Sequence, residues 1–123
     1  MIRILVIDDE PSISDLLCET LTRLGCSVAT AANGQQGLQR LETADFDLVV
    51  TDMSMPELDG AGFVHHVRRS NRPLTPVIGM SGTPWLFDGA DCDAVLPKPF
   101  PLQALIDKVG YLTGVRLPVM STH

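Results

Sequence analysis

Asp52 closes an apolar run, Leu48-Val49-Val50-Thr51, and Pro56 follows within four residues. Such a run reads as a strand buried on both faces, which puts its terminal carboxylate at the rim of a sheet. In open α/β sheets ligands bind beyond the carboxyl ends of the strands, so an acid at that rim is placed for chemistry. Taken alone, Asp52 would be an ordinary turn-forming residue. Three further runs end in residues of complementary type. Ile4-Leu5-Val6-Ile7 ends in Asp8-Asp9-Glu10, Val77-Ile78-Gly79-Met80 in Ser81-Gly82-Thr83, and Ala94-Val95-Leu96-Pro97 in Lys98-Pro99. Parallel strands bring the four ends to one edge.

Asp8, Asp9 and Asp52 gathered there repel one another unless they are protonated or bridged by a cation. Oxygen ligands with open positions suit Mg2+, a hard ion that keeps waters and shares itself with phosphates. A bare carboxylate is also a competent nucleophile toward phosphorus. A phosphoryl group in transfer spreads charge over three oxygens, so cations and donors must be aimed at them. Lys98 offers a compact positive charge and Ser81 a hydroxyl donor. Separately these two would be a solvated lysine and a turn serine; four strand ends with matching chemistry favour a site.

The elements that must position these residues follow from apolar spacing. After a first strand over Arg3–Ile7, Ile13, Leu16, Leu17, Leu21 and Leu24 recur at helical intervals, with Pro11 suited to the first turn and Gly25 to the stop. Val28–Ala31 is a short edge strand, and Asn33-Gly34 turns into a helix carrying Leu38 and Leu41. Phe46–Thr51 is the third strand. Gly60–Arg69 is a helix with Phe63, Val64 and Val67 inward and His65, His66, Arg68 and Arg69 mostly outward. Adjacent helical residues point about 100° apart, so His65 and His66 do not chelate together. Only ten residues, Gly82 to Asp91, with Pro84 and Gly89 among them, separate the fourth strand from the fifth at Asp93–Pro97. A full crossover with its helix usually needs at least about 10–12 residues, so a short or irregular fourth helix is expected. Pro101 opens a last helix with Leu102, Leu105, Ile106, Val109 and Leu112 on one side and Gly114 at its end. Strands alternating with helical segments predict an α/β fold, a parallel sheet covered on both faces. Residues 1–114 form the expected domain and 115–123 a loose tail.

Composition narrows the class. At 123 residues, 45% hydrophobic and 20% charged, the chain fits one globular domain. No apolar window approaches the ~18–20 residues of a membrane span, and no basic region with an apolar stretch opens the chain, so a cytoplasmic protein without membrane contact is expected. Cys18, Cys26 and Cys92 lack metal-ligand spacing and read as small buried hydrophobes. A net charge of -6 disfavours direct nucleic-acid binding.

The motifs Val6-Ile7-Asp8-Asp9-Glu10, Asp52-Met53-Ser54-Met55-Pro56 with Asp59-Gly60, Met80-Ser81-Gly82-Thr83 and Lys98-Pro99-Phe100 together resemble the response-regulator receiver domains of two-component signalling. The set spans Arg3 to Leu112 and is specific as a set, each motif alone being weak. The resemblance implies a doubly wound, flavodoxin-like five-stranded sheet in the order 2-1-3-4-5, a fold for which a receiver is a standard example. It implies that Asp52 accepts a phosphoryl group from the phosphohistidine of a histidine kinase or a histidine phosphotransfer protein. Asp8, Asp9, Asp52 and the Ser54 carbonyl would hold Mg2+, Ser81 would be the switch hydroxyl, and Lys98 would contact the phosphoryl oxygens. A cis Lys98–Pro99 peptide is expected on the same ground. Such a module signals and is not a turnover enzyme. The chain departs from the pattern at Val95, where receivers usually carry an aromatic, and in the short interval from Ser81 to Lys98. The usual aromatic switch therefore does not carry over, and Trp85, Leu86 and Phe87 become the expected exposed reporters of state.

Three other readings fit the residues less well. An aspartate-nucleophile phosphatase places nucleophile and acid base two residues apart after the first strand, whereas Asp8 and Asp9 are adjacent. A flavodoxin-like FMN protein needs a hydroxyl- and glycine-rich phosphate loop where Asp8-Asp9-Glu10 would repel phosphate. A phosphorylation-independent interaction domain should lack a site residue, and none is missing.

Overall fold

In the computed structural model, which describes residues 1–54, 60–84 and 91–118, five strands alternate with four helices. In order they are β1 (Arg3–Ile7), α1 (Pro11–Arg23), β2 (Ser27–Ala31), α2 (Gly34–Thr43), β3 (Leu48–Asp52), α3 (Gly60–Arg68), β4 (Val77–Ser81), β5 (Ala94–Pro97) and α4 (Leu102–Thr113). All neighbouring strands are parallel and the order is β2-β1-β3-β4-β5. The α/β sheet and the strand order are thus as expected.

Strand residues alternate between two apolar layers, as the two-residue period of a sheet demands. Ile4, Val6, Leu48, Val50, Ile78, Met80 and Leu96 pack with Leu17 and Leu21 of α1 and Leu105 and Val109 of α4. On the other face Leu5, Ile7, Val49 and Val77 pack with Phe63, Val64 and Val67 of α3, and α2 adds Leu38 and Leu41. Every residue of β3 and β4 is buried, which accounts for their unbroken apolar character in sequence.

Helix ends follow local chemistry. Pro11 starts α1, and Gly25 beyond its end takes φ +94, a left-handed conformation that suits glycine. Asn33 caps α2: its side chain accepts the Gln36 N–H at 2.9 Å while Gln36 Oε1 accepts the Ala32 N–H at 2.9 Å. Gly114 closes α4 at φ +73, its N–H on the Gly110 carbonyl.

Two boundaries differ from the sequence expectation. The third strand begins at Leu48, because the first rung to β1 pairs Ile4 with Leu48, and it runs through Asp52. The short or irregular fourth helix expected between β4 and β5 falls mostly outside the described residues: Pro84 is in a 3-10 turn, and residues 85–90, including Trp85, Leu86 and Phe87, lie outside them. Of the segment after Gly114, residues 115–118 carry no helix or strand, yet Leu117 packs against the α1/α4 layer. Among the described residues no helix is long and apolar enough to cross a membrane.

Candidate functional site

The carboxyl ends of β1, β3, β4 and β5 meet at one edge, and each delivers one part of the site. Asp8 follows β1 and is 2% exposed; its N–H is held by the Ala31 carbonyl of β2 at 3.1 Å. Asp52, 5% exposed, ends β3, and the Met53 N–H after it bonds to the Met80 carbonyl at 2.9 Å. Asp9 is exposed. Asp8, Asp9 and Asp52 each offer a carboxylate oxygen, all within 4.8 Å of one another. The three acids read from the sequence are therefore brought together.

Lys98 Nζ lies 3.6 Å from Asp52 Oδ1 and 3.8 Å from Asp8 Oδ2. Its backbone is fixed by an N–H bond to the Ser81 carbonyl at 2.7 Å, and the Lys98–Pro99 peptide that follows is cis. Ser81 is buried at the end of β4, and its Oγ accepts the Thr83 N–H at 2.9 Å. Ser54 lies beside the acids, its N–H donating to Asp52 Oδ1 at 3.1 Å.

One ammonium faces three carboxylates, so the cluster is under-neutralised. Asp8 shows the deficit most directly. Its Oδ1 accepts the Glu10 N–H at 2.9 Å, but its buried Oδ2 has no hydrogen-bond partner among the described residues. Burial raises the Asp8 pKa above the ordinary carboxylate value; the Glu10 N–H and the Lys98 ammonium pull it down, while Asp52 and Asp9 push it up. A buried carboxylate oxygen without a donor, beside two further carboxylates, fits a hard divalent cation such as Mg2+.

Beneath Asp52 sits a packing device that the motifs alone did not reveal. Met53, 1% exposed, fills the space between Gly60 and Gly79, where a Cβ would come within 2.5 Å of Met53 Cα and 2.8 Å of Met53 Sδ respectively. A glycine inside a buried strand, as at Gly79, is the sequence signal of such an approach. The Cys92 thiol contacts Met53 Sδ at 4.0 Å.

Cys92 and Cys18 are half-buried and Cys26 is buried. Burial pushes the Cys92 thiol up to about 11. A free thiol ionises near ~8.5, so the folded state holds Cys92 protonated where the unfolded chain would not. That contribution to stability is complete below about 8.5 and is lost as pH rises through the folded value. Iodoacetamide labelling of Cys92, followed by peptide mass, should keep accelerating up to pH about 11; a plateau near pH 9 would contradict this environment.

Arg68 was read as an outward residue, but its side chain is only 17% exposed and its guanidinium is engaged with the chain around β4 and β5. Helical spacing gives a direction and says nothing of a long side chain folding back. His65 and His66 are exposed, as expected.

Comparisons with known proteins agree with this geometry. Residues 4–110 match the model of the response regulator receiver domain. The transcriptional regulatory protein TcrA of Mycobacterium tuberculosis is 35% identical over 117 residues, covering 91% of this chain and 46% of that protein. RpaA of Synechocystis, named a DNA-binding dual master transcriptional regulator, is 33% identical, covering 100% of this chain and 54% of that protein. The chain spans about half the length of the curated relatives it matches. Among solved structures, response regulator TrrA of Thermotoga maritima, in complex with Mg2+ and BeF, is 32% identical with a TM-score of 0.83, covering 91% of this chain and 99% of that one. The chemotaxis protein CheY4 of Vibrio cholerae is 28% identical with a TM-score of 0.83, covering 91% and 98%. The chain belongs to the response regulator receiver domains, the receiving modules of two-component signalling.

Proposed function

We propose that Asp52 is the phosphoacceptor of this receiver, taking a phosphoryl group from the phosphohistidine of a histidine kinase or a histidine phosphotransfer protein. The observation that carries the reading is the under-neutralised cluster, three carboxylates within 4.8 Å with Lys98 Nζ reaching two of them. A carboxylate oxygen of Asp52 attacks phosphorus, the bond from phosphorus to the donor imidazole breaks, and the imidazole leaves with the electron pair. Asp8, Asp9, Asp52 and the Ser54 carbonyl would hold Mg2+, which would neutralise charge on the acids and on the phosphoryl oxygens. Lys98 supplies a fixed positive charge to the same oxygens, and Ser81 donates its hydroxyl. The unit that does this is residues 1–114, in a cytoplasmic setting.

The acylphosphate on Asp52 biases a partner-binding surface, and output passes through a protein partner or a further domain. TcrA and RpaA are named transcriptional regulators. With a net charge of -6, the receiver itself is unsuited to a phosphate backbone, so any DNA contact belongs to that partner or domain.

Lys98→Ala separates the two charge roles. Removing the ammonium should leave Mg2+ affinity unchanged or tighter, because a competing cation has gone, while slowing labelling by acetyl phosphate about a hundredfold, the cost of one preorganised charge at a transition state. Calorimetric Mg2+ titration and timed intact mass read the two quantities. Loss of Mg2+ binding, or unchanged labelling, would remove Lys98 from its assigned role.

A further inference from the structure

At the edge opposite the acids, where β4 and β5 begin, one guanidinium ties α3 to the two stretches of chain that lead into those strands. Arg68 Nη1 donates to the carbonyls of Pro73 at 2.8 Å and Thr75 at 2.7 Å, Nε to the Asp91 carbonyl at 3.1 Å, and Nη2 to Asp93 Oδ2 at 2.8 Å. The same Asp93 oxygen accepts the Val77 N–H at 2.8 Å, and the Asp93 N–H returns a bond to the Val77 carbonyl at 2.9 Å. This clamp fixes the first rung of the β4–β5 ladder. A planar fork with five donors can hold these diverging acceptors; a lysine ammonium cannot reproduce the arrangement.

The last rung of that ladder pairs Ser81 with Pro97, and the Lys98 N–H sits on the Ser81 carbonyl. Ser81 and Lys98 are thus carried on one pair of strands, roughly 13 Å from the clamp at about 3.3 Å per residue. β5 has four residues, lies at the sheet edge and has β4 as its one strand neighbour. Leu96 and Ala94 anchor β5 in the α1/α4 layer, and the clamp holds the end at which the strand begins; a one-residue shift there would turn its side chains to the opposite face.

We infer that Arg68 and Asp93 are positioning residues for phosphoryl transfer, setting where Lys98 and Ser81 stand relative to Asp52. This rests on the roles given above to Lys98 and Ser81. The proposed Mg2+ ligands stand apart from the clamp: Asp8 and Asp9 follow β1, Asp52 ends β3 and Ser54 follows it, and among the described residues neither strand hydrogen-bonds to Arg68 or Asp93. Loss of the clamp therefore slows transfer without weakening Mg2+ binding, a division that general loosening of the fold does not produce.

The test uses Arg68→Ala and Asp93→Asn, the latter keeping an oxygen for the Val77 N–H, and each combined with Lys98→Ala. Circular dichroism confirms folding at the assay temperature. Labelling by acetyl phosphate should slow about tenfold in Arg68→Ala, in line with the cost of a small misplacement of a reacting group, and by less in Asp93→Asn, with Mg2+ affinity unchanged in both. Because the clamp acts through Lys98 and Ser81, each double variant should lose less than the product of its two single losses. If Arg68→Ala does not fold, Asp93→Asn decides by the same comparison. Unchanged labelling in a folded variant, a parallel fall in Mg2+ affinity, or losses that multiply in the double variant would overturn the inference. Failure of the wild type to label would instead overturn the reading of Asp52, and this inference with it.

Discussion

Asp8→Asn is expected to melt several degrees above the wild type in EDTA and to lose Mg2+-dependent phosphorylation, two effects of opposite sign from one atom. Asp8 Oδ2 is buried without a hydrogen-bond donor among the described residues, and two further carboxylates crowd it. An amide of the same shape keeps Oδ1 for the Glu10 N–H and replaces the charged Oδ2 with an N–H donor. Leaving a buried polar group unsatisfied costs about 1–3 kcal/mol, so that order of stabilisation is expected once the charge is gone. Loss of attraction to Lys98 offsets only part, because at 3.8 Å its ammonium lies beyond hydrogen-bond reach of Oδ2. Metal binding suffers in turn. Changing a residue that merely supports a ligand typically costs 10–100-fold in affinity, so removing a ligating oxygen should cost at least about a hundredfold. Thermal melts in EDTA and in Mg2+ read both effects; a lower melting temperature in EDTA, or undiminished Mg2+ binding, would contradict the assigned environment of Asp8.

Gly60→Ala is expected to destabilise by about 3 kcal/mol, against the usual direction of a glycine-to-alanine change in a helix. Helix propensity alone would favour alanine by roughly 0.5–1 kcal/mol. At Gly60, however, the new methyl would lie 2.5 Å from Met53 Cα, 2.6 Å from Met53 Sδ and 2.7 Å from the Asp52 carbonyl oxygen. Two of these are backbone atoms in the strand end that carries Asp52, so rotamer adjustment cannot relieve them. Overpacking of this kind typically costs about 1–3 kcal/mol, at times more, and it wins over propensity here. Since the displaced segment bears Asp52, labelling should also fall, by about tenfold or more. Denaturant melts and timed labelling check the pair, and a stabilised, fully active Gly60→Ala would show that α3 approaches β3 less closely.

Much of the fold was legible because β1, β3 and β4 are buried on both faces and each runs into a polar residue, Asp8, Asp52 or Ser81. Leu48 to Val50 running into Asp52 is an apolar run that only a central strand would carry. The strand order was not readable from periodicity and came from the likeness to receivers. The acids, Lys98 and Ser81 were found because their chemistry is complementary. Arg68 was missed because its role depends on a side chain bending back over the ends of two strands that are 9 and 25 residues further along, which no local pattern encodes. The cage of Gly60 and Gly79 around Met53 is a matter of depth between layers, hinted at only by a glycine in a buried strand. Trp85, Leu86 and Phe87, expected as exposed reporters, fall outside the described residues.

Intact mass after incubation with acetyl phosphate tests the assignment of Asp52 most directly. With Mg2+ present the wild type should gain one phosphoryl group, EDTA should prevent the gain, and Asp52→Asn should gain none under either condition. Equal labelling of Asp52→Asn, or labelling of the wild type that persists in EDTA, would contradict a Mg2+-dependent phosphoacceptor at the end of β3.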